Sequence, residues 1–179
     1  MHMPMLRLAR LDERDRLQQL IADSIRTLGA ADYRAEQIEA ALQGAFGVDT
    51  QLLRDGTYFV AEIGGELAGC GGWSWRRTLF GGDARSGRDA AALDPAVDAA
   101  KIRAFFIAPA FARRGVGRAI LAHCEQAARA AGFRRCEMMA TLPGVRLYRA
   151  SGYQSGAMIH HPVGEGLTIE FVPMYKTLD

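Results

Sequence analysis

Two glycines one residue apart, set among arginines, are the first feature of this 179-residue sequence that could do chemistry. The run reads Arg113-Arg114-Gly115-Val116-Gly117-Arg118 and follows the apolar stretch Phe105-Phe106-Ile107-Ala108-Pro109. It has the pattern of a strand, a short loop and a helix start. The first turn of a helix leaves four backbone N–H groups unpaired and carries partial positive charge. Glycines there let backbone approach a ligand that a Cβ would hold off. An anion suits such a place, and a diphosphate can take several donors at once. The plain alternative is a glycine-rich helix entry with no ligand. Two nucleotide patterns fail. A Walker loop needs Gly-Lys-Ser/Thr, and Arg118-Ala119 follow Gly117. The dinucleotide fingerprint needs Gly or Ala where Ile120 stands, and no acidic ribose ligand lies downstream in a βαβ unit.

Charge distribution points to the same segment. The net charge is only +2, yet no acidic residue falls between Asp98 and Glu125, where Lys101, Arg103, Arg113, Arg114 and Arg118 do. Such a window has either an anion to hold or a solvated face. The small total argues against a nucleic-acid binder, which needs a wide basic stripe with interleaved aromatics. Cys70, Cys124 and Cys136 have no metal-ligand spacing and read as small buried hydrophobes, so no metal is expected. His123 reads as a packing or surface residue, and His160-His161 lack a third ligand.

The elements that must position this segment follow from periodicity. Met5 to Leu8 reads as a strand, and Asp12 as an N-cap for a helix over Arg14 to Leu28 that Gly29 ends. Leu17, Leu20, Ile21, Ser24, Ile25 and Leu28 form its stripe. A second amphipathic helix is expected over Ala35 to Phe46. Tyr58–Glu62 and Glu66–Trp75, joined by Gly64-Gly65, make a hairpin. Glycines 69, 71 and 72 in its second strand suggest bulges or close approach. Residues 76–98 show no period and form a long loop, functional or mobile, with a helical turn at Ala91–Leu93. Then come a strand at Lys101–Ile107, a helix at Gly115–Ala131, a strand at Arg135–Thr141, a short helix from Pro143 to Ala150, a strand from Gly152-Tyr153 and a last one at Leu167–Tyr175. The sum is one α+β domain over 1–179, with about seven mostly antiparallel strands and about four helices. Residues 1–4 are an expected disordered or vector-derived start. The apolar runs fall short of a membrane span and Met1-His2-Met3 lacks a signal-peptide core, so a cytoplasmic protein without membrane partners is expected.

At this point a resemblance carries further. The segment Ala112-Arg113-Arg114-Gly115-Val116-Gly117 resembles the coenzyme-binding motif Gln/Arg-x-x-Gly-x-Gly/Ala of the GNAT superfamily of N-acetyltransferases, with Ala112 departing at the first position. Downstream, Thr141 to Tyr153 is similar to the family pattern Asn-x-x-Ala-x-x-x-Tyr-x-x-x-Gly-Phe. Tyr148 and Gly152 fit, whereas Thr141 and Gly144 replace Asn and Ala. The element order matches the superfamily along nearly the whole chain.

The resemblance implies transfer of an acetyl group from acetyl-CoA to a primary amine of a small molecule or peptide, by direct attack in a ternary complex. It implies two parallel strands, Lys101–Ile107 and Arg135–Thr141, splayed around the thioester arm. Phe105, Phe106 and Ile107 would bond the pantetheine amides, and the diphosphate would rest on Arg113, Arg114, Gly115, Val116, Gly117 and Arg118, with Thr141 also at the coenzyme. Tyr148 would be the general acid. A phenol near pKa ~10 stays protonated at neutral pH and can supply a departing thiolate whose acid is near ~8.5. No base is assigned; Glu137, Asp32 or a water chain are the options. The acceptor site is expected around the first two helices and the hairpin, with Tyr33, Trp73 and Trp75 around the amine, or else those aromatics fill the core. Residues 76–98 would act as a lid. A homodimer is common among such proteins. The rival reading is a catalytically silent acyl-CoA sensor or regulatory module on the same fold.

Overall fold

A computed structural model describes residues 2–179. The expected disordered start at 1–4 lies outside the described residues at Met1, and residues 2–4 precede the first strand. Eight strands form one sheet: β1 (Met5–Leu8), β2 (Tyr58–Ile63), β3 (Glu66–Ser74), β4 (Ala100–Ile107), β5 (Arg135–Thr141), β6 (Gln154–Ser155), β7 (Ile159–Gly164) and β8 (Leu167–Thr177). Their order is β1-β2-β3-β4-β5-β8-β6, with β7 also paired to β8. Every pairing is antiparallel except β4 with β5. The helices are α1 (Arg14–Leu28), α2 (Ala35–Ala41), α3 (Thr50–Asp55), α4 (Val116–Ala130) and α5 (Val145–Ala150).

Two apolar layers sandwich the sheet. On one face the stripe Leu17, Ile21 and Ile25 of α1 and Ile38 of α2 pack with Val60, Cys70, Phe106 and Phe171. On the other, Val116, Ile120, Leu121 and Cys124 of α4 pack with Phe59, Trp73, Ile102 and Met138. The alternation of β5, whose even-numbered residues are buried, presents Cys136, Met138 and Ala140 to the α4 face. All three cysteines are free and buried, and burial pushes Cys70 and Cys136 up to about 12.

Several expectations need correction. The second helix stops at Ala41, and Gly44 and Gly47 carry the chain through turns to a further helix the periodicity did not reveal. That helix, α3, has its own punctuation: Asp49 accepts from the Gln51 N–H at 3.0 Å, and Gly56 closes it in the left-handed region at φ 70°. The cap expected at Asp12 is instead a short 3-10 turn, Leu11–Glu13, with the Glu13 carboxylate accepting from the Arg10 N–H at 2.8 Å. The chain after Tyr153 makes only the two-residue β6 before β7, giving eight strands and five helices.

The 76–98 segment is tied down along its length. Ala91–Leu93 is extended rather than helical, because Ala92 bridges Arg76 while Arg77 N–H bonds Ala91 C=O and Leu93 N–H bonds Trp75 C=O. Further along, Gly82 N–H reaches Gly44 C=O and Asp83 N–H reaches Val48 C=O. The Asp83 carboxylate accepts from Thr50 N–H at 2.8 Å and from Arg14 Nε at 3.1 Å. The aspartate at 83 is thus committed to internal partners.

Candidate active site

The parallel pair β4–β5 is bonded at only two positions, Ala100 with Cys136 and Lys101 with Glu137. Beyond Lys101 the strands part. A bulge drives the divergence: the β3–β4 register shifts between Cys70 and Gly72, and Ala104 sits in the left-handed region at φ 53°. Two features hold this strained residue. The Tyr58 hydroxyl donates to Ala104 C=O at 2.6 Å, and the ring of Phe105 lies where a Cβ on Gly71 would stand, 2.7 Å away. The glycines of β3 therefore serve a bulge and a side chain that needs their space.

The parted strands open a cleft of about 610 Å³. One wall is α1, through Ser24, Ile25, Leu28 and Gly29. The floor is Phe105, Phe106 and Ile107, and the far end is Phe111, Arg113, Gly115, Val116, Gly117 and Arg118. Thr141 and Tyr148 line it as well. Nine of the ten expected coenzyme residues thus meet in one cleft. Arg114 does not line it; its guanidinium lies over the Phe111 ring, 5.3 Å from the centroid.

The loop into α4 has the conformation an anion site requires. Arg113 and Gly115 are both in the left-handed region, at φ 61° and 81°, and such turns aim successive N–H groups into one concavity. The N-cap is Gly115, so no side chain caps the first amides of α4. The two glycines do different work. Gly115 is required by its positive φ, since a Cβ there would meet nothing. Gly117 is favoured by packing, since a Cβ would meet Leu147 Cδ2 at 2.7 Å and that side-chain end would have to shift. Of the cations in the basic window, Lys101 is paired with Glu137 and Arg103 is buried against Asp49 at 3.1 Å. Arg113, Arg114 and Arg118 are exposed at the helix tip with no carboxylate partner among the described residues. The cleft therefore fits a long ligand with a diphosphate at one end.

A narrower lobe of about 50 Å³ continues through the gap between β4 and β5, lined by Phe46, Phe80, Met138, Met139 and Phe171. Phe105, Phe106, Thr141 and Tyr148 border both spaces. Tyr148 is 6% exposed. Of the four buried tyrosines it alone has a hydroxyl without a hydrogen-bond partner among the described residues. Tyr33 donates to Glu170 C=O, Tyr58 to Ala104 C=O and Tyr153 to the Glu125 carboxylate. Burial pushes the Tyr148 phenol well above its ordinary pKa, so it is a proton donor over the whole neutral range. No carboxylate or imidazole lines either space. Glu137 is held by Lys101, and Asp32 lies exposed in the turn after α1.

The three aromatics expected around the acceptor pack against other parts of the fold. Tyr33 is buried; its hydroxyl donates to Glu170 C=O at 2.7 Å and accepts from Leu142 N–H at 2.8 Å, pinning the turn that follows Thr141. Trp73 packs on Phe133 and Trp75 in the layer beneath α4. Trp75 stacks under Arg76, 5.7 Å from its ring. None of the three lines the cleft or its narrow lobe. The residues that do, Phe46, Phe80, Met138, Met139, Phe171, Arg146 and Ser24, were missed by sequence reasoning. Ser24 alone left a signal, as a polar residue within an apolar stripe. Among the described residues no group of three or more His, Cys, Asp or Glu could hold a metal ion, and no helix is long and apolar enough to cross a membrane.

Comparison with known proteins places this geometry. The family model described as acetyltransferase (GNAT) family matches residues 19–153. A GCN5-related N-acetyltransferase from Rhodopseudomonas palustris is similar over 99% of this chain and 98% of that one, at 19% identity and a TM-score of 0.73. The PaiA N-acetyltransferase of Thermoplasma acidophilum, solved with coenzyme A, is similar over 98% and 99%, at 12% identity and a TM-score of 0.65. YncA of Salmonella typhimurium, solved with its cofactor acetyl-CoA, is similar over 99% and 95%, at 17% identity and a TM-score of 0.62. At these identities the likeness is one of fold. A search of curated proteins found no match.

Proposed function

The chain belongs to the acetyltransferase (GNAT) family, and from that premise we propose that it transfers an acetyl group from acetyl-CoA to a primary amine by direct attack, with Tyr148 as general acid. The observation that carries this reading is the Tyr148 hydroxyl, buried and without a hydrogen-bond partner among the described residues, at the border shared by the long cleft and the narrow lobe. The diphosphate rests on the first amides of α4 with Arg113 and Arg118 beside it, which complements its charge at the positive end of a helix. The pantetheine arm runs along the edge of β4 that β5 has left, completing the broken sheet as an added strand. This brings the thioester to Phe106 and Ile107, where a backbone N–H polarises its carbonyl.

The amine enters from the narrow lobe as the free base and attacks the thioester carbon. A C–N bond forms, and the tetrahedral intermediate collapses with cleavage of the C–S bond. The thiolate leaves toward Tyr148 and takes the phenol proton, and the proton lost by the nitrogen passes through water and restores the Tyr148 phenol. No side-chain base lies in the cleft to take it. The lobe is lined by aromatic and methionine side chains with the Arg103 guanidinium and no carboxylate, which favours a neutral amine and gives a charged ammonium no counter-ion.

Release of free thiol from acetyl-CoA across a panel of amines, amino acids and peptides tests the reading. Tyr148→Phe is expected to lower kcat by about 10²-fold or more while leaving coenzyme affinity within about twofold of the wild type. Full activity in that variant would remove Tyr148 from the chemistry. Coenzyme binding without thiol release on any amine would favour the silent binder.

A further inference from the structure

We propose that the pocket floored by Arg103 and walled by Arg85 and Arg88 is a binding site for a small oxyanion, a carboxylate or a phosphate, separate from the coenzyme cleft. The pocket encloses about 270 Å³ between α3, the end of β3 and the 76–98 segment, and Asp49, Ser74, Arg76 and Thr78 also line it. It shares no residue with the coenzyme cleft, and only Arg103 with the narrow lobe.

Its charge does not balance internally. Four guanidiniums, those of Arg76, Arg85, Arg88 and Arg103, line one small space. Asp55 takes Arg76 at 2.7 Å. Asp49 is divided between Arg88 at 2.8 Å and Arg103 at 3.1 Å. Asp83 comes only within 3.9 Å of Arg88 and is held closer by Arg14, at 3.1 Å. Arg85 has no carboxylate among the described residues; its one hydrogen bond goes to Phe80 C=O, and it rests on the Phe80 ring 4.0 Å from the centroid.

Hydrogen-bonding capacity is left over in the same place. Arg103 is 2% exposed, and although its two terminal nitrogens donate to Asp49, Gly81 C=O and Thr78 C=O, its Nε has no partner. A buried donor without an acceptor is rare and costly in a native fold. The Ser74 hydroxyl accepts from Arg76 N–H and keeps its own proton to donate. Burial and the neighbouring Arg88 both disfavour the charged form of Arg85. An oxyanion would answer the unbalanced guanidinium charge and the free Ser74 donor, since two or more guanidinium forks can share its oxygens.

The anion has two possible sources with one chemistry. It is either free in solution or the acidic group of the acceptor amine, since Arg103 also borders the acceptor lobe. The site itself does not depend on the catalytic reading; only the second source does.

Calorimetric titration with inorganic phosphate, and separately with succinate, tests the site on the full-length protein with coenzyme A present to fill the diphosphate cleft, and again without it. Saturable binding at one site is expected with coenzyme A present, and the same site should persist when coenzyme A is absent. Arg85→Gln and Arg88→Gln should each weaken it about tenfold or more, whereas Arg118→Gln should not. Arg85→Gln gives up a single intramolecular hydrogen bond, so its thermal midpoint should stay near the wild type even if Arg88→Gln folds poorly. No saturable binding in the wild type, or affinity unchanged in Arg85→Gln, overturns the proposal. If the acceptor supplies the anion, Arg85→Gln lowers kcat/KM for an amine bearing a carboxylate and spares the same amine as its carboxamide. If the anion is free, both acceptors respond alike while phosphate binding is still lost.

Discussion

Phe105 and Tyr148 meet edge to face across the gap between β4 and β5, with ring centroids 6.1 Å apart and planes inclined at 74°. Each ring sits in space that a glycine leaves free. A Cβ on Gly71 would lie 2.7 Å from Phe105, and one on Gly144 would lie 2.8 Å from Tyr148. The bulge at Ala104 sets the first ring and the turn into α5 sets the second. The geometry at the junction of the two spaces therefore rests on two missing side chains.

Gly144→Ala tests that dependence. Its backbone is helical, at φ −83°, so the added methyl costs no backbone strain. It must instead push the Tyr148 ring. Moving a buried ring costs about 1–3 kcal/mol, and a displaced phenol should lower kcat about tenfold or more with coenzyme affinity little changed. Steady-state kinetics beside a coenzyme titration separate the two effects. Unchanged kcat would show that the ring's position is unimportant.

The pH dependence of the reaction follows from what the cleft lacks. With no carboxylate or imidazole in the lining, the free-base fraction of the acceptor sets the rate. For an alkylamine of pKa ~10.4, kcat/KM should rise about tenfold per pH unit through the neutral range. Since burial holds the Tyr148 phenol above its ordinary value, no alkaline loss should appear below about pH 10. The profile should shift with the acceptor's own pKa. A plateau near pH 6–7 common to all acceptors would reveal a base belonging to the protein.

Stability should fall on the acid side through one identifiable carboxylate. Glu13 is 3% exposed and is held down to about 2 from 4.5, chiefly by hydrogen bonds from the Arg7 guanidinium, the closest at 2.6 Å, and also by Arg10 N–H. A depressed pKa means the folded state binds the proton more weakly than the unfolded chain. The stabilisation is complete above about pH 4.5 and is lost as pH falls toward about 2. Denaturant unfolding should show Glu13→Gln less stable by about 3 kcal/mol at pH 7, the difference closing by pH 2. A gap that persists at pH 2 would assign the loss to packing.

Much of this was legible in the sequence because it is local. Helix stripes, hairpin alternation and the glycine-flanked helix start are set by neighbours in the chain, so β1, α1, β5 and the start of α4 lie where the sequence pattern puts them. The short α3 escaped because six residues carry too little period to register, although Asp49 and Gly56 mark both its ends. The narrow lobe escaped for a different reason. Phe46, Phe80, Met138, Met139 and Phe171 come from five separate segments, and each alone looks like core. Tyr33, Trp73 and Trp75 suggested a binding surface because aromatics with polar handles suit both roles. The fold uses all three internally. Arg103 belongs to a basic window that promised one anion site, yet it faces a pocket of its own. Sequence adjacency along β4 could not show that.

The central claim is that the α4 tip grips the diphosphate of coenzyme A, and calorimetric titration with coenzyme A, in wild type and in Gly115→Val, tests it most directly. Gly115 is left-handed at φ 81° with open space at its Cβ position, so valine there disturbs the loop conformation and little else. We expect one-to-one binding in the wild type, weakened about tenfold or more in the variant, with an unchanged thiol-bearing arm in the cleft. A flat isotherm in the wild type, or equal affinity in both proteins, would contradict the account.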